Sequence, residues 1–167
     1  MSQFVSIIGA GLMGSAIATR LLECRHKVTV FDIDAAKLAS LTKLGAKPAS
    51  SIHEATANSD FVILSLNHAD IVRKAVFGDN GIITAATNKK LLIDMSSIDP
   101  AATAEMAAQL EKATGMKWVD CPLSGGVPGA RSGKLTVMAG GEEKDFEHAR
   151  LVMKDLCANY TLMGGSG

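Results

Sequence analysis

Phe4-Val5-Ser6-Ile7-Ile8-Gly9-Ala10-Gly11-Leu12-Met13-Gly14 is the stretch from which the rest of this chain is read. A short apolar run of strand type passes directly into glycines at 9, 11 and 14, and a helix-like segment from Leu12 to Cys24 follows. Gly9 permits the sharp turn, Gly11 lets a pyrophosphate approach the backbone, and Gly14 lets the helix lie close to the strand. Phosphate oxygens then meet free N–H groups at a helix N-terminus. A second run, Lys27 to Phe31, ends in Asp32, about 20 residues past the glycines, where a dinucleotide-binding unit needs an acid. A glycine turn in an unrelated α/β protein is the competing reading, and the flanking strand, helix and acid weigh against it.

Asp32 can accept hydrogen bonds from both hydroxyls of an adenosine ribose, and its charge repels a 2′-phosphate. The expectation is NAD over NADP. Ile33 stands where an arginine would pair with such a phosphate. Asp34 reads as the N-cap of a helix from Ala35 to Leu44.

Composition excludes several functions. Lysine plus arginine and aspartate plus glutamate number 17 each, so no basic excess invites a nucleic acid. Apolar residues make up 47% of the 167, enough for one domain with a real core. The three cysteines, at 24, 121 and 157, lack metal-type spacing and read as reduced thiols, so no metal is expected and a cytoplasmic location is. Neither a signal-type N-terminus nor an apolar run long enough for a bilayer is visible.

Strand and helix signals alternate along the chain. Gly45 ends the second helix, and Ser50 or Ser51 caps a short third one. Asp60 to Leu66 is a continuous apolar run of the kind covered on both faces in a parallel sheet, and it delivers Leu66, Asn67 and His68 to the cofactor edge. Leu91 to Met95 does the same for Asp94, Ser96 and Ser97. Asp99 caps a helix with Pro100 at its first position, ending at Gly115. From Cys121 to Gly133, four glycines and two prolines indicate a loop with fixed turns and no regular element. A strand from Leu135, a helix from Glu142 and a last strand from Asn159 to Leu162 complete the pattern. The fold class is α/β: a Rossmann-type doubly wound, mostly parallel sheet with helices on both faces.

Three segments resemble the β-hydroxyacid dehydrogenase family, which includes 3-hydroxyisobutyrate dehydrogenase and tartronate semialdehyde reductase and is related to 6-phosphogluconate dehydrogenase. They are the Gly9 fingerprint with Met13, Asp94-Met-Ser-Ser-Ile-Asp-Pro100, and Asp120-Cys-Pro-Leu-Ser-Gly-Gly126 continuing to Gly133. The resemblance implies that Gly9, Ala10, Gly11, Leu12, Met13, Gly14, Asp32, Leu66, Asn67 and Ser97 hold the cofactor. It implies that Ser96, Ser124, Gly125 and Gly126 face a small β-hydroxy acid, the last three through its carboxylate. Two departures, Leu66-Asn67-His68 for the usual Leu-Pro-Asn and Lys134 for a frequent threonine, bear on the substrate. The resemblance also implies a dinucleotide-binding domain over residues 1–163 and an interdomain segment beginning at 164–167. A general acid/base lysine would lie four residues past Gly167, followed by a helical domain and a homo-oligomer; the chain stops short of that lysine. The rival expectations are a stand-alone, non-catalytic dinucleotide module, an imine reductase and a chromatin-associated relative. The Ser124-Gly-Gly motif argues against the imine reductase, and the neutral charge against chromatin.

Overall fold

Apolar residues in unbroken runs build the centre of the sheet. In the computed structural model, which describes residues 1–167, every residue of β4 (Phe61–Leu64) and β5 (Leu91–Asp94) is buried. β4 lies between β5 and β1 (Phe4–Ile8), and β1 pairs on its other side with β2 (Lys27–Phe31). A short β3 (Lys47–Pro48) extends the parallel edge next to β2, and β6 (Lys117–Asp120) continues it past β5. Beyond β6 the direction changes. β8 (Leu135–Gly140) runs antiparallel to β6 and β7 (Leu123–Ser124), and β9 (Cys157–Gly164) runs parallel to β8.

Successive side chains of a strand point to opposite faces, so each central strand feeds two cores. Ile7, Ile63, Ile93 and Val119 pack with α1 (Leu12–Glu23), α2 (Leu38–Lys43), α6 (Gly126–Ser132) and α7 (Glu143–Met153). Ile8, Val62, Leu64, Leu92 and Trp118 pack with α4 (Ala69–Phe77) and α5 (Pro100–Thr114). Helices therefore cover both faces, as the doubly wound reading requires. Ser51, not Ser50, caps α3 (Ile52–Ala57) by accepting the Glu54 N–H, while Ser50 bonds the Glu54 carboxylate. Asp99 caps α5 through the Ala102 N–H, with Pro100 first in the helix and Gly115 left-handed at its end.

Two expectations need correction. The helix expected over 35–44 divides into a 3-10 turn, Ala35–Lys37, and the short α2; the turn buries no residue, whereas α2 is anchored by Leu38 and Leu41. The stretch from Cys121 to Gly133 is not a loop but β7 and α6. β7 continues the line of β6 along β8: Asp120 faces Gly140, Leu123 faces Val137 and Ser124 faces Thr136, with the Met138 N–H donating to the Pro122 carbonyl between them. Pro128 falls in the first turn of α6, where its missing N–H had no helical partner to lose. Helix α6 packs on α1, and that contact supports a segment too short to be stable alone.

On β8 and β9 the exposed side chains of Thr136, Met138, Asn159, Thr161 and Met163 share one face that no helix of the chain covers. The two methionines alternate there with polar residues.

Candidate dinucleotide and substrate site

The carboxyl ends of β1, β2, β4, β5 and β6 open on one side of the sheet, where ligands of such folds bind. The three glycines differ in what surrounds them. Gly9 has φ +99°, and a Cβ on it would lie 2.4 Å from the Ser65 carbonyl oxygen. A Cβ on Gly14 would lie 1.8 Å from the Gly9 carbonyl oxygen, so the strand and α1 touch backbone to backbone. Gly11 has nothing of the protein within 4 Å of that position. Open space at Gly11 is what a ligand phosphate requires.

Helix α1 begins at this open space without a side-chain cap and without an acidic residue in its first turn. Its first N–H groups have no intrahelical acceptor, and the macrodipole adds positive potential. Leu12 is exposed and Met13 is half-buried against the core. The Ser15 hydroxyl donates to the Ala10 carbonyl at 2.9 Å and braces the turn.

Asp32 lies beside the turn. Its Oδ2 accepts the Ala10 N–H at 2.8 Å and its Oδ1 accepts the Asp34 N–H at 2.9 Å. Lys37 Nζ stands 3.4 Å from the same Oδ1. Asp34 caps the 3-10 turn through the Ala36 N–H.

The loops after β4 and β5 are tied together. Ser96 Oγ accepts the Leu66 N–H at 3.1 Å, and the Ser96 N–H donates to Asp94 Oδ1 at 2.9 Å. Ser96 is buried, whereas Ser97 and Asn67 are exposed. His68 occupies the N-cap position of α4 without a capping bond from its side chain. Burial pushes the Asp94 carboxyl up to about 6; hydrogen bonds from Ser96 oppose the shift and the charge of Asp120 adds to it. Asp94 Oδ2 is buried without a partner.

Asp120 faces Asp94 across β5 and β6, and burial raises its carboxyl also. Its Oδ1 accepts the Gly167 N–H at 3.0 Å. An open cavity of about 750 Å³ lies here, lined by Ser96, Ser97, Asp120, Met138, Gly140 and Gly165 among others. Ser124, Gly125 and Gly126 do not line it. They sit exposed at the junction of β7 and α6, Gly125 and Gly126 with φ of +120° and +58°.

The glycine turn, Asp32, Leu66, Asn67, Ser96 and Ser97 thus lie along one edge of the sheet, with Ser124–Gly126 on a separate outer segment. Lys37 and Asp120 stand in the same region without having been singled out as site residues. Asp120 had a visible signal, since Lys117-Trp-Val-Asp120 ends in an acid as Leu91-Leu-Ile-Asp94 does. Lys37 had none beyond its nearness to Asp34. No helix is long and apolar enough to cross a membrane.

Comparison with known proteins adds the family. The NAD binding domain of 6-phosphogluconate dehydrogenase matches residues 4–165. The 2-hydroxy-3-oxopropionate reductase of Escherichia coli is 35% identical over 163 residues, covering 98% of this chain and 55% of that protein. The structure of Mycobacterium tuberculosis 3-hydroxyisobutyrate dehydrogenase with L-serine superposes with a TM-score of 0.92 at 30% identity, over 99% of this chain and 56% of that one. A structure of Psf3 in complex with NADP+ and 2-OPP gives 0.91 at 27% identity, over 96% and 56%. The chain spans about half the length of the relatives it matches. An open, uncapped helix N-terminus behind a glycine turn and a match along nearly the whole chain lead to one conclusion: the chain belongs to the β-hydroxyacid dehydrogenase family, as its dinucleotide-binding domain.

Proposed function

We propose that residues 1–163 form the cofactor domain of an NAD-dependent oxidoreductase that interconverts a small β-hydroxy acid and its semialdehyde. The observation that carries this reading is the open space at Gly11, in front of the uncapped α1 and beside Asp32. The dinucleotide, when bound, supplies hydride transfer at its nicotinamide ring. The chain's own part is to bind and orient. N–H groups of the first turn of α1, at Leu12, Met13 and Gly14, hold the pyrophosphate over Gly11. The Ala10 N–H is already bonded to Asp32, so Ala10 shapes the turn instead of donating to phosphate.

Asp32 takes the adenosine ribose and favours NADH over NADPH. Leu66 and Asn67 flank the cofactor, with Leu66 fixed by the Ser96 hydroxyl. Ser97 faces the nicotinamide half, and Ser96 stands at the wall of the substrate cavity. Ser124, Gly125 and Gly126 lie outside that cavity, and their role as the carboxylate anchor, a hydroxyl beside backbone N–H groups, rests on the family resemblance alone. Orientation of this kind places the two reacting carbons in near-attack geometry. No residue of the chain is assigned the hydroxyl proton. By the family resemblance that proton belongs to a lysine four residues past Gly167, with 164–167 opening the interdomain segment of a homo-oligomeric, cytoplasmic enzyme.

Equilibrium titration with NADH and NADPH tests the cofactor reading. Saturable NADH binding with NADPH weaker by about tenfold is expected; failure to bind either rejects it. In the complete enzyme, Ser124→Ala should raise KM or lower kcat/KM and leave NADH affinity unchanged. Unaltered turnover would remove the carboxylate assignment. A stand-alone binding module is the second reading, and a reading frame that stops at Gly167 would favour it.

A further inference from the structure

β6 and β8 meet at a single pair, Asp120 with Gly140. A Cβ on Gly140 would lie 2.6 Å from Asp120 Oδ2 and 2.8 Å from Oδ1, so the carboxylate occupies the space that a side chain there would need. The chain leaving β9 crosses the same spot. The Gly164 carbonyl accepts the Gly141 N–H at 2.9 Å, the Gly165 carbonyl oxygen lies 2.6 Å from that Cβ position, and the Gly167 N–H donates to Asp120 Oδ1 at 3.0 Å. Gly167 has φ +85°, and a Cβ on it would lie 2.4 Å from the Pro100 carbonyl oxygen at the start of α5. Residues 164–167 thus form a strap from β9 to α5 along the wall of the cavity, and Asp120 makes the one side-chain hydrogen bond to it. Asp120 ends β6 beside Asp94 at the end of β5, and Asp94 Oδ1 accepts the N–H of Ser96, the residue that fixes Leu66.

We propose that Asp120 is a positioning residue of the reaction, its carboxylate gripping the strap so that the chain continuing past Gly167 leaves the cavity wall in one fixed direction. The inference rests on the oxidoreductase reading above and deepens it. The proton-transferring lysine of that reading lies four residues past Gly167, so a strap free to swing would carry it away from Ser96 and the cofactor edge. The strap cannot hold itself, because Gly164, Gly165 and Gly167 have no side chains to pack and glycine backbone is the most conformationally free. A carboxylate acceptor gives the N–H of Gly167 a charge-assisted hydrogen bond, about twice as strong as a neutral one. Burial raises the Asp120 carboxyl and the Gly167 N–H opposes that shift, so the ionised carboxylate and the docked strap favour each other.

The test combines amide hydrogen exchange and NADH titration on this chain with steady-state kinetics on the complete enzyme, in wild type, Asp120→Ala, Asp120→Asn and Gly140→Ala. Asp120→Ala should speed exchange at Gly167 by about tenfold or more while the amides of β5 and β6 stay protected. NADH affinity should stay within about twofold of wild type, since the Gly9–Gly14 turn is untouched. In the complete enzyme kcat should fall by about tenfold to a hundredfold, the scale of a small misplacement of a reacting group, with KM within about threefold. Gly140→Ala keeps the carboxylate but fills its seat, and should give the same pattern. Asp120→Asn keeps an acceptor and should bring exchange and kcat back to within about threefold of wild type. Unchanged Gly167 exchange in Asp120→Ala overturns the proposal, as does faster exchange with unaltered kcat, a rise in KM alone, or protection lost throughout β5 and β6. Wild-type protein that binds no NADH, or a reading frame that stops at Gly167, is a different result: it overturns the oxidoreductase reading and the proposal with it.

Discussion

The Asp32 carboxylate accepts the Ala10 N–H at 2.8 Å, so the end of β2 is fastened to the turn between β1 and α1. The residue proposed to hold the ribose also holds the Gly9–Gly14 turn in shape. Ala10 is buried, and its N–H would lose its partner in Asp32→Ala. That variant should lose about 1–3 kcal/mol of stability in urea unfolding together with NADH affinity. Asp32→Asn keeps an acceptor and should recover most of the stability without recovering the affinity.

Gly11 and Gly14 should respond oppositely to alanine. At Gly14 the new methyl would lie 1.8 Å from the Gly9 carbonyl oxygen, a backbone atom that cannot move without the strand. Gly14→Ala should cost about 3 kcal/mol, at the upper end of overpacking penalties. Gly11 has an ordinary φ of −68° and open space, so Gly11→Ala should unfold at the wild-type midpoint while binding NADH at least about tenfold more weakly. A Gly11→Ala protein that binds normally would mean that the open space is not where phosphate sits.

Asp94 should make stability depend on pH in the unusual direction for a carboxylate. Burial raises its carboxyl from 3.8 to about 6, so the folded state holds the proton more tightly than the unfolded chain. The group's contribution is fully present below about 3.8 and is lost as pH rises through about 6. Its size is on the order of 2–3 kcal/mol. Asp94→Asn keeps an acceptor for the Ser96 N–H and cannot ionise. The stability difference between variant and wild type should therefore grow in the variant's favour from pH 4 to pH 7, as followed by unfolding at each pH. A difference independent of pH would show that Asp94 titrates normally.

Ser96→Ala removes the acceptor of the Leu66 N–H and unties the loops after β4 and β5. About 1–2 kcal/mol of stability should be lost. Faster hydrogen exchange should be confined to the two loops, with the amides of β4 and β5 protected as before. Uniform loss of protection would instead assign Ser96 to the core.

Much of the strand-turn-helix unit and of the helix capping was legible because its signals are local. An unbroken apolar run only about four to six residues long and bounded by turn signals reads as a strand covered on both faces, and the Gly9, Gly11, Gly14 spacing encodes a turn whose demands are met by the backbone itself. The caps at Asp34 and Asp99 and the left-handed Gly115 are likewise decided within one turn of chain. The stretch from Cys121 to Gly133 misled for the opposite reason. Its glycines and prolines oppose regular structure locally, yet β8 supplies the hydrogen-bond partners for β7 and α1 supplies the surface on which α6 packs.

The same division runs through the site. The amino-acid sequence determined the strand-turn-helix unit, the acid after β2 and the family, because each depends on residues close together in the chain. Only the tertiary structure decided that Ser96 ties down Leu66, that Asp94 and Asp120 end neighbouring strands, and that Lys37 comes to rest on Asp32. Those relationships depend on strand order and on how a turn folds back, which hydrophobic burial sets through contacts between residues distant in the chain.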